Sequence, residues 1–475
     1  MKYLLVCLLS LCVCFLAAQP MVRFSEKGKQ YYTTRIAFSY QGNAYLLQEQ
    51  GVSMTQKNYK TGLRIINERF EIVSDNVFAE DEEAASGRFL DFFEVEQGGW
   101  FFSVAAGNLS TPAKLMAQRL SQSGLEFGAV NVILQKEVLS QHYQPTFYLD
   151  LSEDRSRIMV VSITRGFIEG SNTKRDIDEV HIQVYDASME LLWEGKPAQS
   201  EPKLEFIDFK VNNDGSVFWE SFSNQSSSMY RKQAKALYLY SLDDQGEMKR
   251  HTILERSHQF TSYQLTILPA GDILMAGITY PSDYPSLHLH RFDPFSAQIT
   301  NEQVTPIKVS PLLYPGIDLG ATKDYHRNLF VKEVIVVDDK TQYVLAEFLW
   351  SKGEWTNNDL LVIPVTEGKP GQMNVLPKSS AYQSVLKESK LHIIFNGDLR
   401  NLAKDAKYRK KQRGTFRDLI WCVTKPDGSM QFNRLPFSRK GMIYASRAHV
   451  RQDGKLWLPD GILLNYRIGL LELPD

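Results

Sequence analysis

Phe147-Tyr-Leu-Asp-Leu151, Ser152-Glu-Asp-Arg-Ser156, Arg157-Ile-Met-Val-Val161 and, after a longer link, His181-Ile-Gln-Val-Tyr185, Asp186-Ala-Ser-Met189 and Glu190-Leu-Leu-Trp193 read as two hairpins. The apolar runs are short, rich in β-branched and aromatic residues, and separated by polar residues at turn length. Four such strands make a small antiparallel sheet that cannot bury both of its faces alone.

The rest of the chain repeats the unit. The first copy has Arg35–Tyr40, Ala44–Gln48, Leu63–Ile66 and Phe70–Val73, and the second Phe89–Val95, Trp100–Val104, Lys114–Leu120 and Phe127–Leu134. The quoted stretch is third, and the fourth has Phe206–Val211, Ser216–Phe222, Ala236–Leu242 and Met248–Leu254. Further copies start at Phe260, Leu329, Tyr382 and Ala448. Hairpins with Asn, Asp and Gly turns, recurring about every sixty residues, predict an all-β β-propeller of four-stranded antiparallel blades. The eighth unit shows three strands, and Met21-Val-Arg-Phe24 is expected to supply its fourth and close the ring. Eight blades are expected, with seven as the alternative if two units merge or one is irregular. Trp100, Trp219, Trp350 and Trp457 fall in or just after second strands, where residues packing between blades belong.

Composition narrows the class. The chain has 475 residues, 43% hydrophobic and 12% aromatic, with a formal net charge of -1. Such a balance provides no global field to draw in nucleic acid or an acidic membrane. Lys2, the apolar run Tyr3–Leu16 and Ala17-Ala18 before Gln19 have the form of an export signal. Residues 1–18 are therefore expected to be a leader and 19–475 a single propeller domain, periplasmic or extracellular and monomeric. Leu11 and Val13 precede Cys12 and Cys14, which argues against lipidation. Outside the leader only Cys422 remains, so no internal disulfide is expected and Cys422 reads as a small buried hydrophobe. No later segment is long and apolar enough for a membrane span.

Function is expected on one face. The links between second and third strands are long and varied, whereas the other turns are short, and long loops on a rigid scaffold carry function. Those links include Gln56–Lys60, Arg165–Asp178, Ser223–Lys235, Tyr280–Tyr284, Trp350–Asn358 and Asn396–Thr415. In the last, Leu399, Leu402, Ala403 and Ala406 have helical spacing, and Lys404, Lys407, Arg409, Lys410, Lys411 and Arg413 form a basic run around Tyr408. The basic run suits an anionic polymer, a lipid head group or an acidic partner, or else is a solvated helix end. Tyr59, Tyr284 and Trp355 are candidate stacking residues for a glycan or peptide, or covers for the blade tops.

Catalytic signatures are not found: there is no P-loop, GxSxG, HExxH or GxGxxG. His288 and His290 share one strand face but lack the further ligands of a metal site, so no metal or cofactor is expected. Asn213-Asp-Gly-Ser-Val-Phe-Trp219 resembles the Asp-box of sialidases in content but not in register, and no catalytic residue carries over. Ala18-Gln19, the Asp-Gly hairpins and Ile393-Ile-Phe-Asn-Gly-Asp-Leu-Arg-Asn401 make the chain similar to the secreted β-propeller proteins of Gram-negative (Bacteroidota-like) envelopes. The resemblance is one of architecture and implies no particular activity; the long-link face leads to the expectation of an exported, non-enzymatic interaction scaffold that recognises a protein, peptide or glycan. The alternative is a glycosidase- or lyase-like enzyme with acids in the central channel, which requires at least two carboxylates or histidines around the axis.

Overall fold

In a computed structural model, residues 21–24, 28–29, 33–50, 60–74, 88–139, 144–167, 175–197, 204–228, 231–254, 258–279, 285–307, 329–352, 355–376, 382–397, 418–424, 428–435, 449–450, 455–462 and 465–473 are described. The expected leader and the helical spacing around Leu399–Ala406 lie outside them. All regular structure among the described residues is β.

Antiparallel strands pair in chain order into units spanning 33–74, 88–136, 146–195, 204–254, 258–306, 329–376, 382–434 and 449–472. They form seven hydrogen-bonded sheets, because the fourth and fifth units share one of eight strands. The link is short: Lys232, Gln233 and Ala234 pair with Phe260, Gln259 and His258. Counted as four-stranded units the ring has eight members; counted as sheets it has seven. Both expected counts are thus accounted for by one merger.

Eight apolar seams, one per neighbouring pair of units, hold the ring. Alternation along each strand creates them, since successive side chains point to opposite faces. In the second strand of the fourth unit (Val217–Ser228), Val217 and Trp219 join Met159, Val161 and Ile163 of the third unit. Phe218 and Phe222 turn the other way, onto Leu265, Ile273 and Met275 of the fifth. The last seam sets Trp457 and Leu470 of the eighth unit against Ala44, Leu46 and Ile66 of the first. The ring therefore closes by packing as well as by strand pairing. Trp100, Trp219 and Trp457 are buried in these seams, as expected, while the side chain of Trp350 lies outside the described residues, and Cys422 is buried in the seam of the sixth and seventh units. Burial pushes the Cys422 thiol up to about 12, which keeps it protonated and unreactive.

Closure follows the expected strand. Met21–Phe24 pairs antiparallel with Asn465–Glu472, from Met21 opposite Glu472 to Phe24 opposite Gly469. That strand completes the eighth unit and covers an edge that would otherwise present free backbone groups.

Three expected links turn out to be strand. The second and third strands of the third unit run to Phe167 and from Arg175, paired at both residues. Those of the fourth unit pair out to Ser228 opposite Arg231, and those of the sixth to Lys352 opposite Trp355. Trp355 is thus the first residue of a strand, Trp355–Thr366, rather than part of a link. These arms lack apolar alternation, because alternation marks a buried face and not pairing itself. The fourth strand of the second unit also begins later than expected, at Asn131. Phe127 is apolar for a different reason: its ring packs against Tyr45 and Phe101 across the first seam.

Candidate functional site

Except in the fifth unit, whose first strand is tied at its start to the fourth unit, the first strand of each unit lies at a sheet edge, and most first strands of neighbouring units touch around the axis. Each carries backbone groups with no strand partner on the axial side, so the sequence must supply other partners. Bulges solve part of the problem. The pairing register slips between Phe89 and Asp91, Phe206 and Phe209, Phe260 and Ser262, and Val331 and Glu333. A bulge re-aims the side chain beside it, and at these four places that side chain is Asp91, Asp208, Ser262 or Glu333.

The polar side chains then bridge consecutive units. Asp150, on the first strand of the third unit (Thr146–Leu151), accepts from the Val211 amide at 2.9 Å and from Lys210 Nζ at 3.0 Å. Asp208 accepts from its neighbour Phe209 at 2.9 Å and from the Leu265 backbone of the fifth unit. Ser262 Oγ accepts from the Val331 amide at 2.6 Å, and Ser384 Oγ donates to Glu333 at 2.8 Å. From the third unit to the seventh, each step around the axis thus carries a side-chain hydrogen bond.

Electrostatics at the axis is unbalanced toward acid. Burial raises the carboxyls of Asp91, Asp150, Asp208 and Glu333 above the ordinary carboxylate range. Lys210 opposes the rise at Asp150 and Asp208, and two backbone amides add to that at each. Asp91 has only the Phe92 amide, at 2.7 Å, and feels the like charge of Asp150. Its side chain is exposed to solvent, although protein lies near enough to raise its carboxyl. Lys210 therefore balances Asp150 and Asp208 but not Asp91. Such a group attracts cations and holds protons at a higher pH than free carboxylates do.

The residues expected to bind a partner fare differently. Tyr59, Tyr284, Lys404, Lys407, Tyr408, Arg409, Lys410, Lys411 and Arg413 lie outside the described residues. Trp355 is placed by its backbone at the tip of the arm of the sixth unit. His288 and His290 do share a face, with ring centroids 5.9 Å apart, and both are buried. Among the described residues no group of three or more His, Cys, Asp or Glu is arranged to hold a metal ion. The axial acids had a sequence signal that motif searching does not catch: an acid recurs within first strands, at Asp91, Asp150, Asp208 and Glu333.

The ring of four-stranded units with a polar axis defines the chain as a β-propeller. No protein-family model and no curated protein sequence matches it. Solved structures resemble it at low identity. Prolyl oligopeptidase B from Galerina marginata is 8% identical, with a TM-score of 0.44, 95% of this chain covered and 56% of that one. The chain therefore spans little more than half the length of that protein. The polysaccharide lyase Uly1 is 10% identical, with a TM-score of 0.42 and 80% and 89% of the two chains covered. The β-propeller domain of the Trilobed protease from Pyrococcus furiosus is 11% identical, with a TM-score of 0.40 and 85% and 96% covered. Nothing that those proteins act on is carried over to this chain.

Proposed function

We propose that this protein is an exported, non-enzymatic interaction scaffold that recognises a protein, peptide or glycan through the face carrying the arms. The supporting observation is the asymmetry of the connections. First and second strands are joined by two residues at 41–42, 96–97 and 388–389, whereas the second and third strands of the fourth unit are twelve residues each and extend well past their neighbours. Paired arms are stiffer than open loops of the same length, so they present side chains at fixed positions and lose little entropy on binding. The basic run Lys404–Arg413, on the link between the second and third strands of the seventh unit, belongs to the same face in this reading.

The test is crosslinking capture from an envelope extract. Replacing the arm tips 166–176 and 228–231 with two-residue Asn-Gly turns, or changing Lys407, Arg409, Lys410 and Lys411 to Glu, is expected to abolish capture and leave the melting transition in place. Capture unchanged in both variants would remove the arm face from the reading. Export itself is tested by the N-terminal mass of the protein recovered outside the cytoplasm, which is expected to start at Gln19.

A second reading, glycosidase- or lyase-like chemistry at the axis, is favoured by one observation: the cluster of Asp91, Asp150 and Asp208 with raised carboxyls. It predicts product release from a panel of acidic and neutral polysaccharides that Asp91→Asn eliminates. Lack of turnover across the panel counts against it.

A further inference from the structure

The seam between the fourth and fifth units contains, besides its apolar residues, a buried polar group that the proposed function does not use. Glu220, on the second strand of the fourth unit, is fully buried, and neither carboxyl oxygen has a hydrogen-bond partner among the described residues. It lies where the first strand slips register, beside Asp208, and points with Phe218 and Phe222 toward the fifth unit. Facing it is Tyr263, also fully buried, whose ring lies across Gly277. A Cβ at Gly277 would come within 2.2 Å of that ring, so only glycine leaves room for it. Beyond Gly277 on the same sheet face stand His288, bonded to Thr279 Oγ1 at 2.5 Å, and His290, whose two ring nitrogens have no partner among the described residues.

We propose that this seam is a proton-controlled latch: it is closed while Glu220 carries its proton and opens locally when Glu220 ionises. A neutral carboxyl tolerates burial, whereas an ionised one requires a cation or several donors. Among the described residues, the charged and titratable groups packed around the seam do not supply them. Asp208 has the same sign, and Lys210 is turned to Asp150. His290 and, at the outer part of the seam beside Phe292, His251 are held neutral by burial. Glu302, paired with His290 on the outer strand, is exposed and acidic. Tyr263 keeps its proton and offers a single hydroxyl. Ionised Glu220 must therefore admit water, which means parting Val217–Ser228 from His258–Ile267. The same two units are strapped on the arm side by the pairing of 232–234 with 258–260, so opening loosens the base of an arm.

Burial, then the charge of Asp208, raises the Glu220 carboxyl well above the ordinary range. The seam's stability from this group is fully present below the carboxyl's unfolded value and is lost as pH rises through the folded one. Amide hydrogen exchange, corrected for intrinsic rate, reads it directly. From about pH 6 to about pH 9, protection of 217–222, 232–234 and 258–267 is expected to fall by up to about tenfold per pH unit, the slope for one proton. The seam between the fifth and sixth units, read on its sixth-unit side at 343–346 and 361–365, serves as the reference and is expected to hold. Glu220→Gln, or Glu220→Met should the amide fail to fold, is expected to flatten the profile. A wild-type profile that is flat, or that falls equally at the reference seam, overturns the proposal. So does a fall that persists in the folded variant.

Discussion

His392 shows how one side chain sets a pH limit on the whole fold. It is buried, and its Nδ1 accepts from Trp421 Nε1 at 3.0 Å with the two rings stacked. That bond requires an unprotonated Nδ1. Burial, then Lys387 and Lys390, lower the imidazole from 6.5 to about 4. Stability from the neutral ring is therefore complete above pH 6.5 and lost as pH falls through about 4. The loss is on the order of 3 kcal/mol for a group so fully enclosed. Unfolding free energies from urea titrations at about pH 7 and about pH 4 are expected to differ by that amount, and His392→Gln, whose amide oxygen can accept the Trp421 proton, to shrink the difference. A variant with the unchanged acid response would place the sensitivity elsewhere. The same lesson applies to Asp150 and Asp208: residue type is legible in the sequence, but which amide or ammonium satisfies each carboxylate depends on the next unit.

Among the elements, turns and bulges do different things. Gln41 and Gly42 both have positive φ, 48° and 79°, and so do Glu388 and Ser389, at 48° and 60°. This is the two-residue hairpin geometry whose twist matches the strands. Five-residue turns place a left-handed residue at their fourth position: Gly215 and Gly271 in two units, but Arg155 (φ 60°) in the third. A non-glycine residue pays a steric cost there of about 1–2 kcal/mol. The Arg155 side chain is half-exposed and lies 3.8 Å from Glu94, a contact worth little at the surface. Arg155→Gly is therefore expected to stabilise the protein by about 0.5–1 kcal/mol, the sterics relieved less the extra freedom of glycine when unfolded. Thermal denaturation checks the sign. A lower melting temperature would mean that the Arg155 contact outweighs the backbone. Bulges, by contrast, cannot be read from a single strand. An extra residue is defined only against its partner, so Asp91 and Glu333 look like interior polar interruptions until the pairing is known.

At the scale of the whole molecule, closure is the decisive event. Four residues, Met21–Phe24, join the two ends of the described chain by pairing with Asn465–Glu472. Removing them strips the eighth unit of its outermost strand and leaves an exposed edge, a template for pairing with another chain. The expected result is a lower melting temperature together with concentration-dependent association by light scattering. A monomeric variant with unchanged melting would show that the Trp457–Leu470 seam suffices without the strand. The number of members is also decided here. The pairing of 232–234 with 258–260 merges two units into one sheet, although each keeps its own seam and its own four strands.

The sequence by itself determined the repeat, the propeller, the buried tryptophans and the strand that closes the ring. Those follow from alternation and turn chemistry, which are local and are repeated in every unit. Only the tertiary structure decided that links in the third, fourth and sixth units are paired arms, because pairing without a buried face leaves no apolar pattern. Only it brought Asp91, Asp150, Asp208 and Lys210 to one axis, and Glu220 against Tyr263. Those contacts join side chains about forty to sixty residues apart, and their geometry is set by the ring rather than by any segment of it.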